Sequence, residues 1–182
     1  MIRGGLTMTP YQQGKLDSLC GLYSIINSSR LIHQYDNQYC QLLFSEIISY
    51  LALESSLFKI TTAGINFSTI GRIITDVSNL NLIKEKPFKG VRTIPLELFW
   101  SSMASFLAEP NRAILLGLGG LYDHWTVVQK ITDKRIVLFD SSQLKYLNKS
   151  SCTTQIIDGT YPHIIKPRYT LYLKSKSELL GS

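Results

Sequence analysis

Cysteine is scarce in this chain: Cys20, Cys40 and Cys152 are the only three in 182 residues, widely spaced and odd in number. That count excludes a disulfide framework, and with no Cys-x-x-Cys pair the usual structural zinc arrangements are excluded too. Long apolar runs are also missing. The longest, Ala113–Tyr122, is broken by three glycines and stops at Asp123. It falls well short of the about 20 residues a membrane helix takes, so no membrane span is expected. Behind Arg3 there is no apolar block, so no signal peptide is expected. Internal repeats, low-complexity stretches and linkers are absent, which argues against solenoids and for one domain over residues 1–182. Acidic residues are outnumbered, 13 against 19 Lys and Arg, leaving a net charge of +6. Such a balance favours acidic partners, although basic residues spread over a chain most often form a solvated surface.

Hydrophobic residues make up 45% and charged residues 18%, the composition of a chain with a real core. The first half reads as helical. Asp17 and Ser18 are good N-cap types ahead of a helix over Cys20–Arg30, with Leu22, Ile25 and Ile26 on its apolar face. A second helix is expected over Asn37–Ser55, where Leu43, Ile47 and Leu51 recur every fourth residue. A third covers about Ser68–Asn79. A fourth begins near Pro95, with Leu96, Phe99, Met103 and Phe106 as its core face and Pro110 beyond its end. From Arg112 the pattern changes to strands. Ala113–Leu118 is a short apolar strand, Trp125–Ile131 and Arg135–Phe139 form a hairpin around Thr132-Asp133-Lys134, and another strand covers Arg168–Lys174. Helices followed by an antiparallel sheet make an α+β protein.

Among polar residues, Cys20 stands out. A nucleophilic thiol is activated by the positive end of a helix or by a neighbouring imidazolium. Cys20 is placed at a helix entry, and Gly21 beside it lets backbone or substrate come close. An isolated cysteine is more often a small buried hydrophobe, which is how Cys40 and Cys152 read. Of the three histidines, His33 lies more than three turns down the Cys20 helix, and His163 sits at a strand edge after Pro162. His124 opens a strong strand beside a glycine-rich loop and is the best candidate base.

The hairpin tests that choice. With a three-residue loop, Ile131 pairs with Arg135 and Asp140 falls opposite Thr126. His124 and Asp140 then share one face as diagonal neighbours, about 7–8 Å apart at the backbone. A two-residue loop would put them on opposite faces, so the arrangement requires an odd loop or a bulge. Taken alone, Asp140 reads as a turn cap with Ser141 and Ser142. Paired with His124, it would fix the imidazole tautomer and stabilise the imidazolium. The backbone N–H of Cys20 and the amide of Gln13 or Gln12 are candidate oxyanion donors.

The segment Gln13-Gly14-Lys15-Leu16-Asp17-Ser18-Leu19-Cys20-Gly21-Leu22 resembles the glutamine-to-cysteine segment of papain-like cysteine peptidases. The closest likeness is to the branch in which glycine follows the cysteine directly. His124-Trp125-Thr126-Val127-Val128 and Leu138-Phe139-Asp140 resemble that group's histidine and aspartate strands, in the same chain order. The resemblance implies a helical lobe carrying the nucleophile Cys20 on a helix N-terminus. A C-terminal antiparallel sheet would carry the base His124 and its partner Asp140, with Gln13 at the oxyanion. Two departures stand out. Gln13 is one residue further from the cysteine than the family spacing, which leaves Gln12 and Gln13 both open, and Ser141 follows the aspartate where proline is common.

Three functions follow. The first is a cysteine peptidase acting on a protein or peptide through a thioester acyl-enzyme, with no cofactor and no metal. The second keeps the acyl-enzyme and changes the substrate or acceptor, as in glutamine deamidases, transglutaminase-like enzymes and acyltransferases among bacterial effectors. The third is a non-catalytic basic binding module. Its candidate surfaces are Lys84, Lys86, Lys89 and Arg92, and Lys166, Arg168, Lys174 and Lys176, with Phe88, Tyr169 and Tyr172 interleaved. No nucleic-acid motif accompanies them, so a nucleic-acid partner is not the expectation. Cys20 stands so near Met1 that no inhibitory propeptide is expected ahead of it. Restraint would then come from specificity, from a regulatory or inhibitory protein, or from delivery. Unpaired cysteines and no signal peptide suggest a cytoplasmic protein, or an effector delivered without a cleavable signal.

Overall fold

Each main helix is set by a local signal and a buried stripe. The computed structural model describes residues 8–91, 93–120, 122–155 and 162–179, so Arg92 of the first basic cluster lies outside the described residues. Helix α1, Cys20–His33, buries Leu22, Ile25, Ile26 and Ile32 and ends at Gln34, whose left-handed backbone (φ 56°) closes the last turn. Helix α2, Asn37–Glu54, starts where the Asp36 carboxylate accepts the Tyr39 N–H at 2.8 Å, and it buries Leu43, Ile47 and Leu51. Helix α3, Leu57–Ala63, is short. Helix α4, Phe67–Asp76, is capped by the Asn66 side chain, which accepts the Thr69 N–H at 2.9 Å. Helix α5 spans Leu96–Leu107 with Pro95 just ahead of it.

Among the described residues seven strands make one sheet: β1 Leu82–Glu85, β2 Arg112–Gly120, β3 His124–Ile131, β4 Arg135–Leu138, β5 Tyr146–Asn148, β6 Cys152–Thr153 and β7 His163–Ser175. Their order is β1-β7-β2-β3-β4-β5, all antiparallel, with the two residues of β6 added in parallel to the start of β7. The fold is therefore α+β. Alternate residues of the strands face opposite layers. Leu115, Val127 and Leu171 meet α1, α2 and α4, whereas Ile114, Leu116, Val128 and Tyr172 meet Phe99, Trp100 and Met103 of α5. Burial on both sides explains why Ala113–Leu116 is a continuous apolar run with no exposed surface. Each of its isoleucine and leucine side chains stabilises the fold by about 1.5–3 kcal/mol relative to exposure.

Several expectations need correcting. The helices do not form one lobe before the sheet, because α5 covers the face opposite α1–α4. Helix α3 was not expected: it is only seven residues long, too short to show helical periodicity, and Ile60, Thr61 and Thr62 are consecutive β-branched residues. Asp17 and Ser18 do not cap α1. The N-cap position is Leu19, with no side-chain hydrogen bond, and Asp17 instead ties the preceding loop by accepting the N–H groups of Gly14 (2.8 Å) and Leu19 (3.1 Å).

The hairpin loop also differs. Thr132 N–H donates to the Arg135 carbonyl at 2.9 Å around a two-residue loop, so Ile131 pairs with Ile136 and Lys130 with Val137. A bulge between Val128 and Lys130 then takes up one residue, and Val128 pairs with Leu138. Beyond it, Phe139 N–H donates to the Val127 carbonyl at 2.8 Å. From that point the register matches the one a three-residue loop would give, which decides where Asp140 goes.

Candidate active site

The site forms where the start of α1 meets the start of β3 and the end of β4. Cys20 is the first residue of α1 and is half-buried. Because no side chain caps that helix, the N–H groups of its first turn remain available at the thiol, and the helix dipole is positive there. The preceding loop is fastened to the end of α3: Ser18 N–H donates to the Thr61 carbonyl (2.8 Å) and Ser18 Oγ to the Thr62 carbonyl (3.0 Å). This approach needs Gly64, whose φ is +73° and where a Cβ would stand 2.6 Å from the Ser18 carbonyl oxygen.

His124 and Asp140 are buried, 8% and 2% exposed, and His124 Nε2 lies 2.7 Å from Asp140 Oδ2. The other carboxylate oxygen, Oδ1, accepts the N–H groups of Ser142 (2.7 Å) and Leu144 (3.1 Å). Thr126 is buried close to the carboxylate, although its hydroxyl closes no well-formed hydrogen bond. Burial alone would raise the Asp140 pKa. His124 and the surrounding donors outweigh it and hold the carboxyl below its ordinary value. For His124, burial likewise opposes the charged form, but the hydrogen bond to Asp140 and the nearby Cys20 thiol outweigh it and push its pKa up to about 9. Nε2 is taken by the carboxylate, so Nδ1 is the nitrogen left for the thiol. A protonated imidazole beside a thiol is the setting that activates it.

The other thiols are placed differently. Burial raises the pKa of Cys40 and pushes that of Cys152 up to about 12, which keeps both protonated and inert. His33 and His163 have pKa values lowered by burial, and neither carries a carboxylate partner among the described residues.

Both candidate glutamines reach the same neighbourhood by another route. The N-terminal segment is held against α1 by a two-way bond, in which Tyr11 N–H donates to Asn27 Oδ1 (2.8 Å) and Asn27 Nδ2 donates to the Tyr11 carbonyl (3.1 Å). Gln13 N–H then donates to the Ser141 carbonyl at 3.0 Å. The Gln12 amide nitrogen is spent on the Asp140 carbonyl (3.1 Å), whereas Gln13 uses its amide oxygen to accept from Ser141 Oγ (3.4 Å). Gln13 thus keeps its amide donors uncommitted among the described hydrogen bonds, and Gln12 does not. The cleft lining includes neither glutamine.

That cleft, with a volume of about 620 Å³, is bounded by Cys20, Asn66 and Phe67 on the helical side and by His124, Trp125 and Tyr169 on the sheet side. Among the described residues, no three His, Cys, Asp or Glu side chains gather to hold a metal ion. No described helix is long and apolar enough to cross a membrane. Comparison with protein-family models, with curated proteins and with solved structures returned no match.

Residues that the sequence did not reveal hold this geometry. Ser24, one turn after Cys20 and fully buried, donates its hydroxyl to the Trp125 carbonyl at 2.9 Å. That bond joins the thiol helix to the residue after His124 and sets the distance between them. Trp125 is fixed in turn by its indole N–H, which donates to the Ile65 carbonyl at 3.1 Å. Gly21 is required here, since a Cβ would lie 2.8 Å from Ile65 Cγ1 and 3.1 Å from Trp125 Cδ1. A serine four residues after a candidate nucleophile, on the same helix face, was the available signal for Ser24.

Proposed function

We propose that the protein is a cysteine peptidase of papain-like architecture, with Cys20 as nucleophile, His124 as base and Asp140 as the group that orients it. The observation that carries this reading is the 2.7 Å bond from His124 Nε2 to the buried Asp140, which leaves the other ring nitrogen for Cys20 at the head of an uncapped helix. In the proposed reaction the thiol proton already resides on His124 Nδ1, and Cys20 Sγ attacks the peptide carbonyl carbon as the thiolate. The tetrahedral oxyanion receives hydrogen bonds from the first-turn N–H groups of α1. Collapse breaks the C–N bond, and His124 returns its proton to the departing amine. Water, deprotonated by His124, then hydrolyses the thioester and restores the thiol. Asp140 keeps the imidazole oriented and its charge compensated throughout.

The test is the alkylation rate of each cysteine as a function of pH, in the wild type and in His124→Ala. The reading expects Cys20 to react much faster than Cys40 or Cys152 near neutral pH, and to lose that advantage without His124. Equal rates for the three cysteines, or rates indifferent to His124, would refute it. Once activation is established, mass spectrometry of candidate substrates separates peptide cleavage from the amide-to-acid change of a glutamine deamidase and from transfer to an amine.

A further inference from the structure

Strand β7 carries an irregularity that sheet pairing does not require. Leu116 of β2 pairs with Thr170, but the next residue, Gly117, pairs with Lys166, so Pro167, Arg168 and Tyr169 have no partner on β2. The bulge is closed on itself by Thr170 Oγ1, which donates to the Lys166 carbonyl at 3.0 Å. Pro167 suits it, having no N–H to leave unpaired. Bulges of this kind re-aim side chains, and this one sends Tyr169 into the cleft beside Cys20 and His124.

There Tyr169 completes an aromatic wall. Phe67 stacks on Trp125 (centroids 5.9 Å apart, planes 14° from parallel), and Tyr169 meets Phe67 edge-on at 5.5 Å and Trp125 at 6.3 Å. The strand beneath has given up its side chain to make room: a Cβ at Gly117 would stand 2.9 Å from Trp125 Cζ3 and 3.0 Å from Tyr169 Cβ. Packing needs do not explain the wall, because Tyr169 remains 43% exposed. Each outer ring carries an ammonium group, with Lys86 Nζ 5.0 Å from the Phe67 centroid and Lys166 Nζ 5.7 Å from the Tyr169 centroid. Lys166 also meets Asp123 Oδ1 at 3.2 Å, but that carboxylate is 91% exposed, and such a pair is weak enough for a competing anion to displace.

Resting on the peptidase reading, we infer that this wall selects the substrate: a peptide segment that lays an aromatic side chain on Phe67, Trp125 and Tyr169 and places acidic residues beside it, toward Lys86 and Lys166. A single-stranded nucleic acid would use the same two kinds of contact. The peptide is favoured because the wall continues into the thiol and imidazole.

The experiment measures binding apart from chemistry. Fluorescence anisotropy with the Cys20→Ala protein compares a labelled peptide containing Phe flanked by Glu, its Phe→Ala analogue, its Glu→Lys analogue and an oligothymidylate. The Phe-Glu peptide is expected to bind best, with about a tenfold loss on removing its ring and a similar loss in the Tyr169→Ala background. Lys86→Glu with Lys166→Glu should reverse the preference between the Glu and Lys peptides. Equal affinity for all peptides, indifference to Tyr169→Ala, or tighter binding of the oligonucleotide would each overturn the inference. Iodoacetamide labelling of the wild type, His124→Ala and Tyr169→Ala proteins reports on the enzyme reading separately. Labelling that depends on His124 but not on Tyr169 leaves that reading standing even where peptide selection fails.

Discussion

Stability of the fold should fall as pH rises from about 6 to 9.5, and His124 should be the cause. An imidazole that keeps its proton to about pH 9 in the folded protein, against 6.5 when free, contributes about 3 kcal/mol of stability. The folded pKa is raised, so the contribution is complete below pH 6.5 and is lost as pH climbs toward 9. Asp140 has the opposite sign: its lowered pKa gives stability that disappears only as pH falls below the carboxylate range. The His124–Asp140 attraction appears in both shifts and is counted once, and Cys20 supplies the rest of the His124 shift. Tyr35 and Tyr172, pushed up to about 12 mainly by burial, ionise above the window. Thermal melts at about pH 6 and 9.5 measure the effect, and 3 kcal/mol corresponds to roughly 8 °C for a chain of this size. The control is His124→Gln with Asp140→Asn, which keeps the shape and removes both charges. Its melting temperature should fall much less over the same interval, with a residual decline above about pH 8.5 from the buried thiols of Cys40 and Cys152, whose raised pKa values survive in the double mutant. An equal decline in wild type and double mutant, or no decline in either, would refute the reasoning.

Ser24→Ala should cost about 1–2 kcal/mol, because the Trp125 carbonyl loses its buried donor. It should also shift the pH profile of Cys20 alkylation toward that of His124→Ala, an effect that destabilisation alone would not produce. Cys20→Ser should lower the His124 pKa below about 9 by weakening one of its two partners, read from the imidazole resonances by NMR. Gly64→Ala should cost about 2–3 kcal/mol in urea denaturation, since it joins an unfavourable φ to a clash with the Ser18 carbonyl.

Much of the frame was legible because it depends on short-range periodicity. Helices α1, α2, α4 and α5 and strands β2 to β4 each repeat apolar residues strongly enough to be read within one window. Strands β1, β5 and β6 were not legible. Each has four residues or fewer, and β1 and β6 are strands only because distant β7 pairs with them. The diagonal between His124 and Asp140 was legible for a subtler reason. The loop is one residue shorter than expected, yet the bulge at Val128–Lys130 restores the same face, so two departures cancelled. Phe67 and the place of Tyr169 in the cleft could not be found this way, because what they do depends on which surface of another element packs against them.

The N-terminal segment ties this site to the order in which the chain folds. Gln12 and Asp140 are bonded across 128 residues, and Ser24 and Trp125 across 101. Contacts of such separation carry a large loop-closure cost and are typically made late, after local helices and hairpins have formed. The nucleophile is synthesised ahead of His124 and Asp140, and the groups that activate it are in place only once the sheet has closed. A chain stalled partway, or one with β3 and β4 unpaired, carries Cys20 on its helix with no imidazole beside it. Reactivity of that thiol would therefore report completion of the whole fold, and its rise during refolding should coincide with the slowest phase of sheet formation.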